Sequence, residues 1–238
     1  YACRKAMVDM SLYKYETHLH TSEASACSLL SGAEQARFYK EAGYEGIIVT
    51  DHFYNGNTAV DRSLPWDDWV EMFCKGYEHA REEGERIGLS VFFGWEANYD
   101  GTEFLIYGLD KEWLKAHPDI IRWSVKEQYE KIHADGGFIV HAHPFRERSY
   151  IKEVRLFPEY VDAVEIINVG NHNDEFDRKA AEYARVHSLP ATAGSDAHGF
   201  DDILSGVAFN HKLKDINDFM ESIKSGGYEL IKPYKFKK

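Results

Sequence analysis

At 238 residues, with 44% hydrophobic and 29% charged residues, the chain has enough material for a sizeable core and is too apolar for a disordered segment. Its formal net charge of −12 argues against general electrostatic binding to nucleic acid or an anionic membrane, though a local cation cluster can still receive a phosphate-bearing small molecule. No apolar run approaches the ~20 residues that cross a bilayer, and Cys3, Cys27 and Cys74 fall at unrelated spacings that fit neither a disulfide framework nor a zinc finger, so a reduced, cytoplasmic setting is expected.

Tyr1-Ala2-Cys3-Arg4-Lys5 is followed by no apolar signal region, and Met7 and Met10 are the nearest candidates for a natural start. Tyr13 to Thr17 is β-prone and runs into His18-Leu19-His20, after which small polar residues read as a loop. Ser31-Gly32-Ala33-Glu34 has capping-box spacing and opens a helix that stops near Gly43. Glu45 to Thr50 is a near-continuous apolar run, as expected of a strand covered on both faces. Asp67 to Arg86 predicts one long helix with Trp69, Phe73, Tyr77 and Ala80 on one side. Leu89 to Trp95 and Phe104 to Tyr107 read as strands, with 97–103 between them as a loop. Asp119 to Ala134 reads as a helix ending at Gly136-Gly137, followed by a strand from Phe138 to His141. Val161 to Ile167 reads as a strand, Asp174 to Val186 as a helix, Ala191 to Ala193 as a short strand and Lys214 to Lys224 as a last helix. The basic tail 232–238 is expected to fray.

Repeating strand–helix units predict a parallel sheet with helices outside, and about seven strands over this length suit a closed or nearly closed barrel in one domain, with its core at about 13–231. Ligand-type side chains fall at the carboxyl end of one strand after another: His18 and His20, Asp51 and His52, Glu96, Glu103, His141 and His143, Asn168, then Asp196 and His198. In a β/α barrel those ends converge on the face where active sites are built. Each has an ordinary explanation too: Asp51 or Asp196 as a helix cap, His143-Pro144 as a turn, Glu96 facing solvent. Together they would need five or six strands to end in such residues by accident. His79, His133, His187 and His211 sit in helical or turn contexts without a partner, His117-Pro118 reads as a helix start, and His172 in the loop after a strand is a candidate substrate contact.

His18-Leu19-His20-Thr21, Thr50-Asp51-His52, Gly94-Trp95-Glu96, His141-Ala142-His143-Pro144 and Gly194-Ser195-Asp196-Ala197-His198 resemble, in this order, the motifs of the PHP (polymerase and histidinol phosphatase) family. The resemblance spans positions 16 to 199. It implies a distorted seven-stranded (β/α)7 barrel, TIM-barrel-like, that holds two or three divalent ions (Mn, Fe or Zn) and hydrolyses phosphate esters. By the same resemblance His18, His20, Glu96 and Asp196 hold a first ion, Glu96 bridges to a second held by His143, and His52 and His198 hold a third. Two positions depart from the family. Its acidic residue or histidine shortly after the first motif is replaced here by Ser25, Ala26 and Cys27, with Glu23 as a substitute to be tested; and Glu103 stands where a histidine is usual, which favours Mn or Fe over Zn. His141, an extra histidine expected on the same face as His143, is a further candidate ligand.

Two divalent ions close together can share a hydroxide at neutral pH, which attacks phosphorus in line while the ions neutralise the phosphoryl oxygens. His198 or His141 would return a proton to the leaving alkoxide, and Arg146, with Arg148 as a weaker second, would clamp phosphate oxygens. The expected substrate is a small phosphomonoester or phosphodiester, histidinol-phosphate-like or nucleotide-like, chosen by loops 53–66, 97–103, 144–158 and 169–174, the first being long enough to act as a lid. The competing readings are a metal-dependent hydrolase of a non-phosphate bond and a barrel that binds metal without turnover. The oligomeric state is left open.

Overall fold

A computed structural model describes residues 12–149, 151–199 and 203–236; Cys3, Met7 and Met10 lie outside these. Among these residues one sheet carries nine strands, where about seven were expected, in the order β7-β6-β5-β4-β3-β2-β1-β8-β9. The strands are β1 (Tyr13–Leu19), β2 (Gly46–Val49), β3 (Ser90–Tyr99), β4 (Thr102–Tyr107), β5 (Phe138–Ala142), β6 (Ala163–Asn168), β7 (Ala191–Gly194), β8 (Ile203–Phe209) and β9 (Tyr228–Lys235). The sheet curls until its far strands meet: Thr17 Oγ1 on β1 donates to the Ala193 carbonyl on β7 at 2.8 Å, and Tyr228 on β9 bonds the backbone of Ala191. The result is a nearly closed, barrel-like α/β fold.

The sheet is mixed, where an all-parallel one was expected. The β1–β2, β2–β3, β5–β6 and β6–β7 pairs are parallel, but β4 runs antiparallel to both β3 and β5, and β8 to both β1 and β9. The reason for the first reversal is local. Tyr99 pairs with Thr102 across a two-residue turn in which Asp100 and Gly101 both take positive φ, 50° and 91°, and such a turn matches the twist of a tight hairpin. Residues 97–103, read as a loop, are therefore largely strand. The basic tail, expected to fray, is held as far as Lys235 by pairing with β8.

Among the described residues, seven α-helices accompany the strands. Ser31 caps α1 (Gly32–Glu41) in a capping box with Glu34, as its spacing predicted. The expected long helix is two, α2 (Trp66–Phe73) and α3 (Lys75–Ile87), meeting at Cys74. A short α4 (Lys111–Ala116) and a 3-10 turn at Pro118–Arg122 precede α5 (Val125–Ala134), which starts six residues later than expected because the Ser124–Glu127 capping box sets its first turn. Then come α6 (Asp174–His187) and α7 (Ile216–Ser225). Trp69, Phe73, Trp95 and Phe104 pack in one apolar cluster, while Ile48, Leu105, Val140 and Val207 pack in a second. No helix among the described residues is long and apolar enough to cross a membrane.

One close approach ties the helices to the rim of the sheet. α1 crosses α3 at Gly32 and Gly76, and a Cβ on Gly76 would overlap the Thr21 hydroxyl and lie 3.0 Å from Asp51 Oδ2. Thr21 and Asp51 are short side chains tied to each other by two 2.6 Å hydrogen bonds, so little can yield. Gly76→Ala should cost roughly 2 kcal/mol, read as a lowered urea midpoint, whereas Gly227→Ala, which has nothing within 4 Å, should leave the midpoint unchanged.

Candidate metal centre

The carboxyl ends of β1, β2, β3, β5 and β7 bring their ligand-type residues to one place. His18 and His20 end β1 with Nε2 atoms 3.2 Å apart. His18 Nε2 lies 3.2 Å from Glu96 Oε1 and 3.5 Å from Asp196 Oδ1, and His20 Nε2 lies 3.1 Å from the same Asp196 oxygen. His143 Nε2 reaches Glu96 Oε1 at 3.1 Å and Glu103 Oε2 at 3.5 Å. His20 stacks between His52 and His198, with ring centroids 4.2 and 4.3 Å away. Ligand atoms within 4.8 Å of one another form several triads, among them His18–His20–Glu96, His52–Glu96–Glu103 and His20–His52–His198. Two of the positions rest on unusual backbone: His143 and Asp196 both have positive φ, 28° and 53°. Such a conformation is found where a turn must aim a side chain.

A surrounding layer fixes which nitrogen each imidazole presents. His18 Nδ1 sits 2.9 Å from Glu165 Oε1, whose other oxygen accepts from Asn168 Nδ2 and from the His143 backbone N–H. Ser25 Oγ donates to Asp51 Oδ1 at 2.7 Å, so it accepts from His20 Nδ1 at 3.1 Å. His198 Nδ1 faces the Asp196 carbonyl at 2.8 Å, an oxygen that can only accept. In all three the proton is drawn to Nδ1, leaving the Nε2 lone pair for the centre. Asp51 is itself held by the Thr21 backbone and hydroxyl, both at 2.6 Å. Glu16 accepts from the backbone N–H groups of Thr17, His18 and Ser195 and from Tyr39, clamping β1 to β7 beneath the centre.

The electrostatics are those of a cage short of cations. Glu96, Glu103, Asp196, Glu165 and Asp51 are all buried, and Arg146 is the buried guanidinium that answers them. Burial opposes charge on His18, yet the carboxylates of Glu165, Asp196 and Glu96 hold the imidazole well above its usual value. Burial and the facing His52 and His198 push His20 well below it. Burial also works against ionising Glu96 and Asp196, but the imidazoles around Glu96, and His18 with Arg146 around Asp196, keep both carboxyls well below the usual range. Burial and Glu96 raise Glu103. His52 Nδ1 and Glu96 Oε2 lie 2.6 Å apart, buried, without the alignment of a hydrogen bond. Facing lone pairs of this kind are what a divalent ion relieves, so the donor set fits such an ion. His18, His20, His52, Glu96, Glu103, His143, Asp196 and His198 are the residues placed to hold it.

Other candidates fall elsewhere. Glu23 turns away to His79 Nδ1 at 2.8 Å and to the Gly32 N–H at the start of α1, so it is not part of the centre. His141 is not on the face of His143, because β5 ends at Ala142 and His143 turns. Its ring stacks on Phe104 and packs against Tyr183 of α6, its Nε2 has no hydrogen bond, and burial drives its pKa down to about 3. Packed there, it lies outside the groups of converging ligand atoms. Asn168 is buried and orients Arg146 and Glu165 instead of facing substrate. Arg148 bonds the carbonyls of Gly170 and Asn171 on the surface, and His172 caps a 3-10 turn, exposed. Arg146 is the substrate candidate that reaches the centre: its Nη2 lies 2.6 Å from Asp196 Oδ2 and 2.7 Å from Asn168 Oδ1, and its Nε 3.0 Å from Asn171 Oδ1.

Above the centre opens a cavity of about 420 Å³. It is lined by His52, Glu103, Asp196, His198 and Arg146, by the amides of Asn55, Asn57 and Asn98, and by Cys27. Burial would raise the Cys27 thiol, but hydrogen bonds with His198 and His52 bring it down to about 6. Sequence reasoning missed Cys27 and Glu165. Glu165 carried a signal: a lone carboxylate inside Ala163-Val164-Glu165-Ile166-Ile167 needs a partner if that strand is buried.

Two consequences can be measured. Glu165→Gln keeps the shape but weakens the acceptor behind His18, and should lower divalent-ion affinity by about 10–100-fold, read by competition with a chromogenic chelator. His141 binds its proton in the unfolded chain near pH 6.5 but in the folded one only near 3, so its stabilising contribution is present above 6.5 and is lost as pH falls through that window. His141→Phe should therefore flatten the stability–pH curve between 6.5 and 3, by up to about 1.4 kcal/mol per pH unit, with ion binding intact.

Residues 174–228 match a family model described as PHP-associated. None of the curated proteins matches the chain significantly. Among solved structures, a two-domain protein from Bacteroides vulgatus containing a predicted PHP-like metal-dependent phosphoesterase is similar at TM-score 0.67 and 14% identity over 96% of this chain. The chain spans 66% of that protein's length. A Bifidobacterium adolescentis protein, a metal-dependent phosphoesterase by assignment, is similar at TM-score 0.56 and 17% identity, covering 79% of this chain and 88% of that one. An amidohydrolase from Chromobacterium violaceum with bound sulfate and no metal gives TM-score 0.56 and 17% identity, covering 78% and 88%. At these identities the structural likeness is one of fold. The match over residues 174–228 and the shared fold make the chain similar to PHP-like proteins.

Proposed function

We propose that this protein is a metal-dependent hydrolase that cleaves the phosphoester of a small, hydroxyl-bearing molecule. The observation that carries this reading is Arg146. Its guanidinium is nine-tenths buried, is oriented by Asn168 and Asn171, bonds Asp196, and lines the same cavity as the imidazole–carboxylate cluster. A buried guanidinium is a fixed fork of donors suited to an anion with several oxygens, and a neutral amide substrate gives it little to do. Divalent ions held by the cluster would supply a lowered water pKa and neutralise charge on the phosphoryl oxygens.

The chain's own groups divide the remaining work. Glu165, Ser25 and the Asp196 carbonyl hold three imidazoles in one tautomer, so no rearrangement is needed at the moment of reaction. Asn55, Asn57 and Asn98 line the same cavity with neutral polar groups, a lining suited to the hydroxyls of an alcohol leaving group. The likeness to an amidohydrolase supports a second reading, hydrolysis of a carbonyl-centred bond at the same site.

Arg146→Ala separates the two. Phosphomonoester kcat/KM should fall about 100-fold, while a neutral ester should lose far less, with bound metal determined in parallel because Arg146 also touches Asp196. An equal loss on both, or fully metallated protein with no turnover on a broad phosphoester panel, would sink the phosphoesterase reading.

A further inference from the structure

The loop from Thr21 to Leu30 carries no histidine, and its carboxylate, Glu23, is engaged by His79 and Gly32. What the loop does bring to the cavity is Cys27. The loop is pinned on both sides of that residue. The Ala26 N–H bonds the Asn57 carbonyl at 2.9 Å, the Ser28 hydroxyl bonds the His20 carbonyl at 3.0 Å, and the Leu29 N–H bonds the His198 carbonyl at 2.7 Å. The thiol is thereby held within hydrogen-bond reach of His52 and His198, open to the cavity. A second observation is independent of the cysteine. His20, His52 and His198 crowd together with stacked or tilted rings and ligand atoms within 4.8 Å, and the buried His52 Nδ1 has no hydrogen-bond partner. Three imidazoles stacked with their ligand nitrogens this close together are arranged as donors to a cation.

We infer that Cys27 is a thiolate ligand, acting with His52 and His198, of a divalent ion at the cavity end of the centre. This rests on the metal-binding part of the function proposed above and adds to it the chemical class of the site. On binding, the S–H bond is replaced by a sulfur–metal bond and the proton leaves to solvent. A thiolate among imidazoles selects a softer ion than the carboxylate-rich end at Glu96 and Glu103, so the two ends of the centre prefer different metals: zinc-like at Cys27, manganese-like at Glu103.

Cobalt gives a readout that does not depend on turnover. Exchange of the full-length protein's ions for Co²⁺ should produce visible d–d bands together with a near-ultraviolet thiolate-to-cobalt charge-transfer band. Cys27→Ser should abolish the charge-transfer band and keep d–d absorption from the remaining ligands. Cys27→His should bind Co²⁺ as fully as the parent, without the band. Iodoacetamide should label Cys27 many-fold more slowly in the Co²⁺ form than after chelation, with peptide mapping separating it from Cys3 and the buried Cys74. Visible bands without charge transfer, or a charge-transfer band that survives Cys27→Ser, overturn the assignment of Cys27 and leave the metal centre standing. Failure to take up Co²⁺ at all overturns both.

Discussion

Five carboxylates drawn out of water, with one buried guanidinium that bonds Asp196 alone among them, are the constraint on which the rest of the site depends. An isolated buried carboxylate costs several kcal/mol or more unless it is paired. Glu96 and Asp196 can be buried because imidazoles surround them, and His18 keeps its proton against burial because Glu165, Asp196 and Glu96 face it. Cations and protons thus compete for the same lone pairs. Metal binding would displace a proton from His18, and by linkage the ion's contribution to stability would fall as the medium becomes acidic.

The scaffold answers this demand with fixed backbone and an outer ring of acceptors. His18, His20 and His198 are held at Nδ1, by Glu165, by Ser25 through Asp51, and by a carbonyl two residues upstream, respectively. Asn168 has a similar task, bridging Arg146 to Glu165 so that the guanidinium and the acceptor behind His18 are positioned by one amide. None of these groups needs to touch a substrate to set the geometry of those that do.

Much of the centre was legible in the chain because its residues repeat one pattern: an apolar strand ending in a ligand-type side chain. Where that pattern was read too literally it failed. His141 and His143 look equivalent by alternation, but alternation ends with the strand at Ala142, and a positive φ sends His143 to Glu96 while His141 stays against Phe104. The mixed sheet was also signalled, by Asp100-Gly101 between β-prone runs, a dipeptide that favours both residues of a tight turn at positive φ. Other features were not local and could not have been read. Nothing near Glu23 shows that His79, 56 residues away, will claim it, and nothing near Cys27 shows that Asn57 and His198 will hold its loop.

That same hairpin makes Glu96 and Glu103 products of a single ribbon, with Glu96 opposite Leu105 and Glu103 opposite Asn98. Side chains along it alternate between the centre and the apolar layer beneath the helices, so the spacing of the two acids is written in the length of the turn. One residue gained or lost there would set Phe104's ring among the imidazoles and bury Glu103 against tryptophan. A change of two would restore the facing while moving the acid along the strand by about 7 Å. Among descendants of this chain, the bend at Asp100 is therefore held in parity, as well as to residues that accept positive φ.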